Sequence, residues 1–367
     1  MAQSNLNKAK VAKKDEFYTQ LTDIEKELRH YKDHFRGKTV LCNCDDPKVS
    51  NFFVYFVRNF NELGLKRLIT TCYKNTQPDL FSQHDEEHAV WLDYQGGDDN
   101  NPDVAAIAAT ARPLKGDGDF RSVECIELLK EADIVVTNPP FSLFREDVAQ
   151  LVKYEKKFLI IGNINAITNK DIFPLIKENK MWLGASIHSG DREFGVPFDY
   201  PLEAAGCRQD ENGNKYIRVK GVRWFTNLDY LEHHEKLDLY KQYNPEDYPK
   251  YDNFDAINVG ETSSIPCDYD GIMGVPPTFL DKYCPEQFEV LGLTQIGCHD
   301  LVPDTRKYNN FKEMVNASNT PTGSSGGKTN ENAVLPGRGS KKTYYLGPDG
   351  EMVHSEYKRL FIRRKQE

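Results

Sequence analysis

Short apolar runs alternate with helical patterns along the first half of this 367-residue chain. The runs have the length and composition of buried strands, which are predicted at Lys38–Cys44, Arg67–Tyr73, His88–Tyr94, Asp133–Thr137, Lys157–Ile161 and Met181–Leu183. Helices are predicted at Asp23–Phe35, from just after Pro47 to about Leu63, and at Ser122–Lys130, Leu143–Lys153 and Lys170–Lys177. Such a series predicts a largely parallel α/β sheet with helices on both faces, in which ligands bind at the carboxyl ends of the strands.

The amino-acid composition changes from about Gly184 onward, where Pro, Gly, Tyr and Asn become frequent. Tyr216–Phe225 reads as a strand whose end, Val222–Phe225, is expected to complete the sheet, and the rest is expected to form a less regular lobe. Thr320–Gly339 is expected to be a flexible loop by composition. The stretch Gly347-Pro348-Asp349-Gly350 predicts a turn between closing strands at Thr343–Leu346 and Tyr357–Ile362.

Composition and charge narrow the class of protein. No apolar run is long enough to span a bilayer, and the first residues lack the apolar stretch of a signal peptide, so a cytoplasmic protein is expected. The eight cysteines form no CxxC pair and are expected to be reduced. The net charge of −9 argues mildly against a nucleic-acid partner. The two ends of the chain are nevertheless basic, through Lys8, Lys10, Lys13, Lys14, Lys341, Lys342, Lys358, Arg359, Arg363, Arg364 and Lys365.

The sharpest chemical signal is Asn-Pro-Pro-Phe at Asn138–Phe141, between a predicted buried strand and a predicted helix. Asn138 offers a side-chain carbonyl and Pro139 a main-chain carbonyl, which can hold both protons of a planar amine such as adenine N6. Two acceptors favour the pyramidal nitrogen that attack on a methyl group requires. Pro139 and Pro140 stiffen the turn, and Phe141 can stack on an extruded base. The alternative is a strand-ending turn with a core Phe141.

The sequence around this turn, TNPPFSLFRE, resembles motif IV of amino-methyltransferases, and specifically that of the EcoRI-type DNA adenine-N6 modification methylases. The likeness extends over most of the chain, including DEFYTQ at Asp15–Gln20, CNCDDPKVSNFF at Cys42–Phe53 and GDFRS at Gly118–Ser122. The resemblance implies a class I methyltransferase fold with a Rossmann-like, mostly parallel sheet. It also implies transfer of a methyl group from S-adenosylmethionine to N6 of an adenine flipped out of double-stranded DNA, in a restriction-modification system.

A cofactor site is implied by the same resemblance. The DEFYTQ segment closes over the methionine end of the cofactor, and CNCDDP replaces the usual glycine-rich loop, a departure from the common FxGxG pattern. In the GDF segment, Asp119 accepts from the adenine N6 of the cofactor and Phe120 packs on its ring. The usual ribose-binding acid is missing, since the second strand ends in Thr70-Thr71-Cys72-Tyr73. The candidate cofactor-binding residues are Phe17, Tyr18, Thr19, Asn43, Cys44, Asp45, Asp46, Asp119 and Phe120.

The resemblance further implies how the chain is organised and what it binds. Residues 1–14 are expected to form a flexible basic arm, residues 15–230 the catalytic domain, and residues 231–367 a target-recognition region. Residues 185–215 and a flexible loop near 320–339 are expected to contribute to target recognition. Candidate DNA-contacting side chains are Arg192, Arg208, Arg218, Arg223 and Arg338, and no pattern ranks them. A monomer is expected, with no metal, no membrane and no stable complex with any cognate endonuclease.

Alternative functions are weighed against this hypothesis. Similar Pro-Pro-aromatic motifs serve methylation of RNA and of protein glutamine, and a non-catalytic nucleic-acid-binding relative is a further alternative.

Gly323–Thr329 resembles a phosphate-binding loop but is one residue too short, so a loop that contacts DNA phosphates is favoured over a nucleotide site. His233-His234 lacks the spacing that would place both imidazoles on one helical face, which favours an exposed polar segment over a metal site.

Overall fold

The computed structural model describes residues 17–73, 89–99, 101–196, 200, 206–295, 298, 301–302 and 304–366. The predicted basic arm, Asp15, Glu16 and His88 lie outside the described residues. The chain divides into two compact units. The first contains Met1–Ala166 and Met181–Tyr230, and the second contains Ile167–Lys180 and Leu231–Glu367.

An eight-stranded sheet forms the centre of the first unit. Its strands are β1 (Thr39–Cys42), β2 (Arg67–Cys72), β3 (Val90–Tyr94), β4 (Arg112–Pro113), β5 (Ile134–Thr137), β6 (Lys157–Asn163), β7 (Trp182–Leu183) and β11 (Val222–Thr226). They lie in the order β4-β3-β2-β1-β5-β6-β11-β7. Strand β11 joins the sheet beside β6, which confirms the expectation that this segment completes it.

The expectation of a mostly parallel sheet holds only for its centre, where the neighbouring strands β2, β1, β5 and β6 pair parallel. Strands β3, β4, β7 and β11 pair antiparallel. A parallel neighbour requires a crossover that is usually a helix, whereas the polar stretch between β2 and β3 has no helical pattern. The fold is therefore a mixed α/β sheet with a parallel centre.

The helices differ from their predictions mainly at their ends. The α-helices are α1 (Leu21–Leu28), α2 (Asn51–Arg58), α3 (Phe60–Leu63), α4 (Val104–Ala108), α5 (Val123–Glu131), α6 (Phe144–Lys153) and α7 (Phe173–Lys177). The predicted helix Asp23–Phe35 continues α1 as a 3-10 helix over Arg29–Phe35. Helix α2 begins later than predicted because Ser50 is its N-cap, accepting hydrogen bonds from the Phe52 and Phe53 amides.

The apolar residues of α2 and α3 form part of the core of the first unit. Phe52, Phe53 and Phe56 are fully buried, and the Phe52 ring meets Trp224 of β11 edge-on at 6.0 Å between centroids. Burial of each such side chain contributes about 1.5–3 kcal/mol. This packing holds α2 against the sheet and so fixes the loop between β1 and α2.

A smaller sheet in the same unit contains β8 (Asp191–Val196), β9 (Cys207–Gln209) and β10 (Lys215–Lys220), in the order β8-β10-β9. The strand predicted at Tyr216–Phe225 is in fact two strands, β10 and β11, which belong to different sheets. Gly221 separates them with φ +71°, a conformation that disfavours residues with a side chain.

The second unit contains two sheets. One has the order β12-β13-β20-β14, with strands β12 (Ile257–Asn258), β13 (Met273–Val275), β14 (Phe288–Leu293) and β20 (Leu360–Arg364). The other has the order β16-β15-β18-β19-β17, with strands β15 (Lys312–Val315), β16 (Pro321–Ser325), β17 (Val334–Pro336), β18 (Thr343–Leu346) and β19 (Met352–Ser355). No helix in the part of the chain described here is long and apolar enough to cross a membrane.

Two predictions for this unit are wrong. The segment Thr320–Gly339 is not a structureless loop, because it forms β16, β17 and a 3-10 helix at Gly326–Asn330. Gly326 permits close packing, since a Cβ there would overlap the carbonyl oxygen of Phe311. The turn at Gly347–Gly350 joins β18 to β19, whereas the predicted partner at Tyr357–Ile362 overlaps β20 in the other sheet.

Candidate active site

The Asn138–Phe141 turn follows β5 directly, at the carboxyl edge of the parallel centre of the sheet. The Leu143 amide donates to the Pro140 carbonyl at 2.8 Å and closes the turn that leads into α6. This position agrees with the predicted strand end. It is also the edge at which open α/β sheets bind their ligands.

The side chain of Asn138 is held in one orientation. Its Nδ2 donates to the Phe17 carbonyl at 2.7 Å and to Thr19 Oγ1 at 3.2 Å. Because a main-chain carbonyl can only accept, the amide nitrogen must face Phe17 and Oδ1 must face away. Within the described residues, neither Asn138 Oδ1 nor the Pro139 carbonyl accepts a hydrogen bond. Both acceptors that an amine would need are therefore available.

The segment Phe17–Thr19 is itself anchored on two sides. Tyr18 exchanges two main-chain hydrogen bonds with Gly195 of β8, at 2.8 and 2.9 Å. Asn51, the first residue of α2, donates to the Thr19 carbonyl at 2.7 Å. The structure therefore brings three candidate cofactor-binding residues to the candidate catalytic Asn138.

Three phenylalanine rings cluster beside the turn. The centroid of Phe141 lies 5.6 Å from that of Phe17 and 6.4 Å from that of Phe194. Phe17 and Phe194 are buried, whereas Phe141 is half-buried and keeps part of its ring accessible. Sequence reasoning did not find Phe194, since it reads only as one apolar position in the alternating pattern of β8.

Asp45 joins the elements that meet at this edge. Its carboxylate accepts from Ser50 Oγ at 2.7 Å and from Thr137 Oγ1 at 2.8 Å, and its amide donates to the Thr71 carbonyl at 3.0 Å. Burial raises the pKa of Asp45 to about 6, against the opposing effect of its two hydroxyl donors. Asp45 thus connects the ends of β1, β2 and β5 with the first turn of α2.

The other residues of the loop after β1 differ in exposure and contacts. Cys44 and Asp46 are half-buried. Asp46 Oδ1 accepts from the Lys48 amide at 2.9 Å, so Asp46 stabilises the turn before α2. Asn43 is buried, and its Nδ2 points toward Asp147 Oδ1 at 3.4 Å.

Asp147 is a buried acid that sequence reasoning missed. It lies on α6 and is completely inaccessible to solvent, and burial raises its pKa to about 7. The one available signal was its position, because Asp147 falls on the stripe formed by the apolar residues Phe144, Val148 and Leu151 of α6.

The predicted GDF segment lies against the end of β2. Gly118 has φ +76°, and a Cβ there would overlap the Cys72 carbonyl and come within 2.8 Å of Ala89 Cβ. Asp119 is already paired with Arg121, at 2.9 and 2.6 Å, which lowers the pKa of its carboxyl group. Phe120 is buried, so little of its ring is exposed. Its carbonyl accepts a hydrogen bond from Gln150 of α6.

Replacing Gly118 with alanine is expected to destabilise the protein by about 2 kcal/mol or more, because both the positive φ and the contact with Cys72 oppose a side chain. The measurement is urea unfolding followed by circular dichroism. Gly116→Ala is the matched control, since its Cβ would come no closer than 3.9 Å to Glu124. Equal unfolding midpoints for the two variants would contradict the close packing.

The candidate DNA-contacting arginines have different surroundings. Arg223 is buried and donates to the Val222 and His188 carbonyls, which indicates a structural role. Arg208 is paired with Glu193, and Arg338 with Asn316 and Asn319. Arg192 donates to the Asp191 carbonyl, and Arg218 is exposed.

The two weaker motifs show no binding geometry. Gly323–Thr329 runs from β16 into a 3-10 helix rather than from a strand into the α-helix of a phosphate-binding loop. His234 Nδ1 lies 2.8 Å from Glu286. Across the described ranges, no group of three or more His, Cys, Asp or Glu residues is arranged to hold a metal ion.

A mixed α/β unit that presents Asn-Pro-Pro-Phe, with its two acceptors open, at the carboxyl edge of its central strands has the features of an amino-methyltransferase. The family model described as adenine-specific methyltransferase EcoRI matches residues 5–365, and the chain belongs to this family. The resemblance stated from the sequence is thereby confirmed. The chain is a site-specific DNA methyltransferase of the restriction-modification type that acts on adenine.

Curated relatives cover most of the chain. It is 52% identical over 288 residues to the type II methyltransferase M.EcoRI of Escherichia coli, covering 78% of this chain and 88% of the relative. It is 40% identical over 316 residues to M.MgeORF184P of Mycoplasma genitalium, covering 84% and 92%. For M.MpnI of Mycoplasma pneumoniae the identity is 38% over 291 residues, covering 78% and 84%. No solved structure is significantly similar to the chain.

Proposed function

We propose that the protein transfers the methyl group of S-adenosylmethionine to N6 of an adenine flipped out of duplex DNA, with Asn138 and Pro139 holding the amine. The observation that carries the proposal is the fixed amide of Asn138, whose Nδ2 is committed to Phe17 and Thr19. Its Oδ1 and the Pro139 carbonyl are then the acceptors for the two N–H groups of the adenine amine.

In this mechanism the protein promotes the reaction by positioning the adenine amine against the methyl group. Hydrogen bonds from both N–H groups turn the nitrogen lone pair out of the plane of the base and toward the methyl group. When bound, S-adenosylmethionine would supply an electrophilic methyl group on a positively charged sulfur, and that sulfur would keep the electron pair of the C–S bond as the N–C bond forms. The amine then loses one proton to solvent. The pocket needs no strong base beforehand, because the amine becomes acidic once it carries the methyl group.

The residues at the carboxyl ends of β1 and β2 fit a polar, cationic cofactor. Asp45 and Asp46 supply negative charge for the ammonium and sulfonium groups, and Tyr18 and Cys44 are partly accessible. Thr70 Oγ1 and Thr71 Oγ1 are buried without a hydrogen-bond partner among the described residues, at the strand end where a ribose-binding acid is usual. These features support a Rossmann-like class I arrangement of the site.

Asp119, which is proposed to accept a hydrogen bond from the cofactor adenine, already has a partner in the protein. Its carboxylate already accepts from Arg121, and each carboxylate oxygen can accept more than one donor. Asp119 therefore accepts from the cofactor adenine while it stays paired. Phe120, being buried, supports the segment more than it stacks.

The assembly and location belong to the same proposal. We expect a monomer in the cytoplasm that binds duplex DNA through residues 231–367 together with residues 185–215. Among the arginines, the exposed Arg218 is favoured over the buried Arg223 as a DNA contact. No stable complex with a cognate endonuclease is expected.

The test of the proposed function combines a binding and a product measurement. S-adenosylmethionine should bind the purified protein and raise its Tm. Plasmid DNA incubated with both should then acquire N6-methyladenine at one short sequence, which sequencing of modified bases locates. Failure to bind the cofactor, or methyl groups found only on cytosine, would overturn the proposal.

Phe141→Ala is expected to weaken engagement of the flipped base by about 5–150-fold, the range that corresponds to about 1–3 kcal/mol of lost stacking. Phe141→Tyr keeps an aromatic ring and is the matched control. The measurement is the fluorescence of 2-aminopurine placed at the target adenine, which rises when that base leaves the stack. If both variants match the unsubstituted protein, Phe141 does not stack on the base.

A further inference from the structure

A completely buried carboxyl group lies on α6, shortly after the Asn138–Phe141 turn, and no step of the proposed reaction uses it. This is Asp147. Its Oδ1 lies 3.4 Å from Nδ2 of Asn43, in the loop after β1, and this is the one side-chain hydrogen bond it makes within the described residues. The contact joins two segments that are 104 positions apart in the chain.

Two atoms of this pair are left without partners, and they are complementary. Asp147 Oδ2 and Asn43 Oδ1 are both buried and accept no hydrogen bond within the described part of the chain. A carboxylate has no proton to give, so an ionised Asp147 would leave both oxygens unsatisfied at considerable cost. A carboxylic acid carries an O–H that can donate to Asn43 Oδ1. A single proton on Asp147 therefore satisfies both atoms.

We propose that Asp147 is a positioning residue that, in its protonated form, makes a cyclic acid–amide pair with Asn43. In this pair Asn43 Nδ2 donates to Asp147 Oδ1, while Asp147 Oδ2–H donates to Asn43 Oδ1. The pair ties the loop after β1 to α6 and so holds Asn43–Asp46 in place for the cofactor. This last step rests on the proposed function.

The surroundings of Asp147 favour the neutral form. Burial raises the pKa of Asp147 to about 7, and the Asn43 hydrogen bond only partly opposes it, with no contribution from any charged side chain. Strand β6, against which α6 packs, is apolar over Phe158–Ile161. Glu146 on α6 is exposed and paired with Arg121. The other acid of the cofactor loop, Asp45, has a pKa raised to about 6.

Two substitutions separate protonation from mere volume. Asp147→Asn keeps both hydrogen bonds, since the new amide N–H replaces the acid O–H, but it cannot ionise. Asp147→Leu fills a similar space and makes neither bond. A residue that only fills the core would tolerate leucine at least as well as asparagine, because the site is completely buried.

The first measurement is the dissociation constant of S-adenosylmethionine, determined by calorimetry on the full chain at pH about 6 and about 8. Relative to Asp147→Asn, the unsubstituted protein should lose about tenfold in affinity between these values, as the acid ionises. Taking the ratio at each pH cancels the titration of the cofactor amine and of Asp45. Compared with Asp147→Asn, Asp147→Leu should bind S-adenosylmethionine about tenfold or more weakly at both pH values.

The second measurement, urea unfolding without cofactor, tests the pair independently of where the cofactor binds. An acid whose pKa is higher in the folded protein than in the unfolded chain stabilises most at low pH. Relative to Asp147→Asn, the unsubstituted protein should therefore lose stability as pH rises from about 4 to about 7. Parallel stability profiles would overturn the acid–amide pair.

The outcomes distinguish the two proposals. If the unsubstituted protein binds the cofactor and Asp147→Leu binds it equally well, the positioning role is overturned while the proposed function stands. If the unsubstituted protein does not bind S-adenosylmethionine at any pH, the proposed function fails. The unfolding profiles still decide the acid–amide pair in that case. Should Asp147→Leu not fold, the comparison with Asp147→Asn is sufficient.

Discussion

Replacing Asn138 with alanine is expected to abolish methyl transfer while leaving S-adenosylmethionine binding within about threefold of normal. The substitution removes the side-chain acceptor that we propose holds the adenine amine. Loss of a single polar group that stabilises a transition state typically lowers kcat by about 100- to 1000-fold, so a loss of about 1000-fold is expected. The measurement is transfer of a labelled methyl group to duplex DNA under single-turnover conditions. Cofactor binding is measured separately by calorimetry.

Two further variants make this result interpretable. Asn101→Ala removes an exposed asparagine from the same unit and should have no effect on the rate. Thr19→Val removes the weaker of the two acceptors that orient the Asn138 amide, so it should lower kcat by a smaller factor of about tenfold. Near-normal methylation by Asn138→Ala would remove the basis of the mechanism.

Asp45→Ala is expected to have the largest combined effect on stability and cofactor binding. It leaves the buried hydroxyl groups of Ser50 and Thr137 without their acceptor and loosens the cap of α2. A loss of about 2–4 kcal/mol in the free energy of unfolding is expected. The affinity for S-adenosylmethionine should fall by about 30-fold or more, since the loop after β1 loses its side-chain hydrogen bond to Thr137 at the end of β5.

Asp46→Ala is the matched control for the stability part of this prediction. Asp46 is the next carboxylate in the chain, but it is half-buried and accepts from a nearby amide only, so its loss should cost about 0.5 kcal/mol. Urea unfolding measures the stability of both variants, and calorimetry measures cofactor affinity. Equal stability of the two variants would show that Asp45 does not join these elements.

Local patterns sufficed to predict much of the first unit. The runs that became β1, β2, β5 and β6 are apolar because both faces of those strands are covered, and that property is visible residue by residue. The turn at Asn138–Phe141 was predictable for a related reason, since prolines after a buried strand mark the strand end. Strand direction was not predictable in the same way, because it depends on how distant segments pair.

The rest of the candidate site depends on contacts between distant segments. In the structure Thr137 ends β5 and Ser50 caps α2, and nothing in the sequence near either residue indicates that both donate to Asp45. In the second unit, the glycines of Thr320–Gly339 are typical of a loop, yet Gly326 is required by the approach of Phe311. Composition cannot distinguish a glycine that confers freedom from one that permits contact.

The hydrogen bond between the Asn138 side chain and the Phe17 carbonyl affects the order in which the parts of the active site form during folding. Its two residues are 121 positions apart, and the Phe17 segment is in turn paired with Gly195, further along the chain. During synthesis, β5 and its Pro-Pro turn can form long before β8 has left the ribosome. Loop closure over such distances is entropically unfavourable until the flanking structure exists. The Asn138 amide, which we propose holds the adenine amine, is therefore oriented late, so a partly made chain can contain its central strands before that amide is fixed.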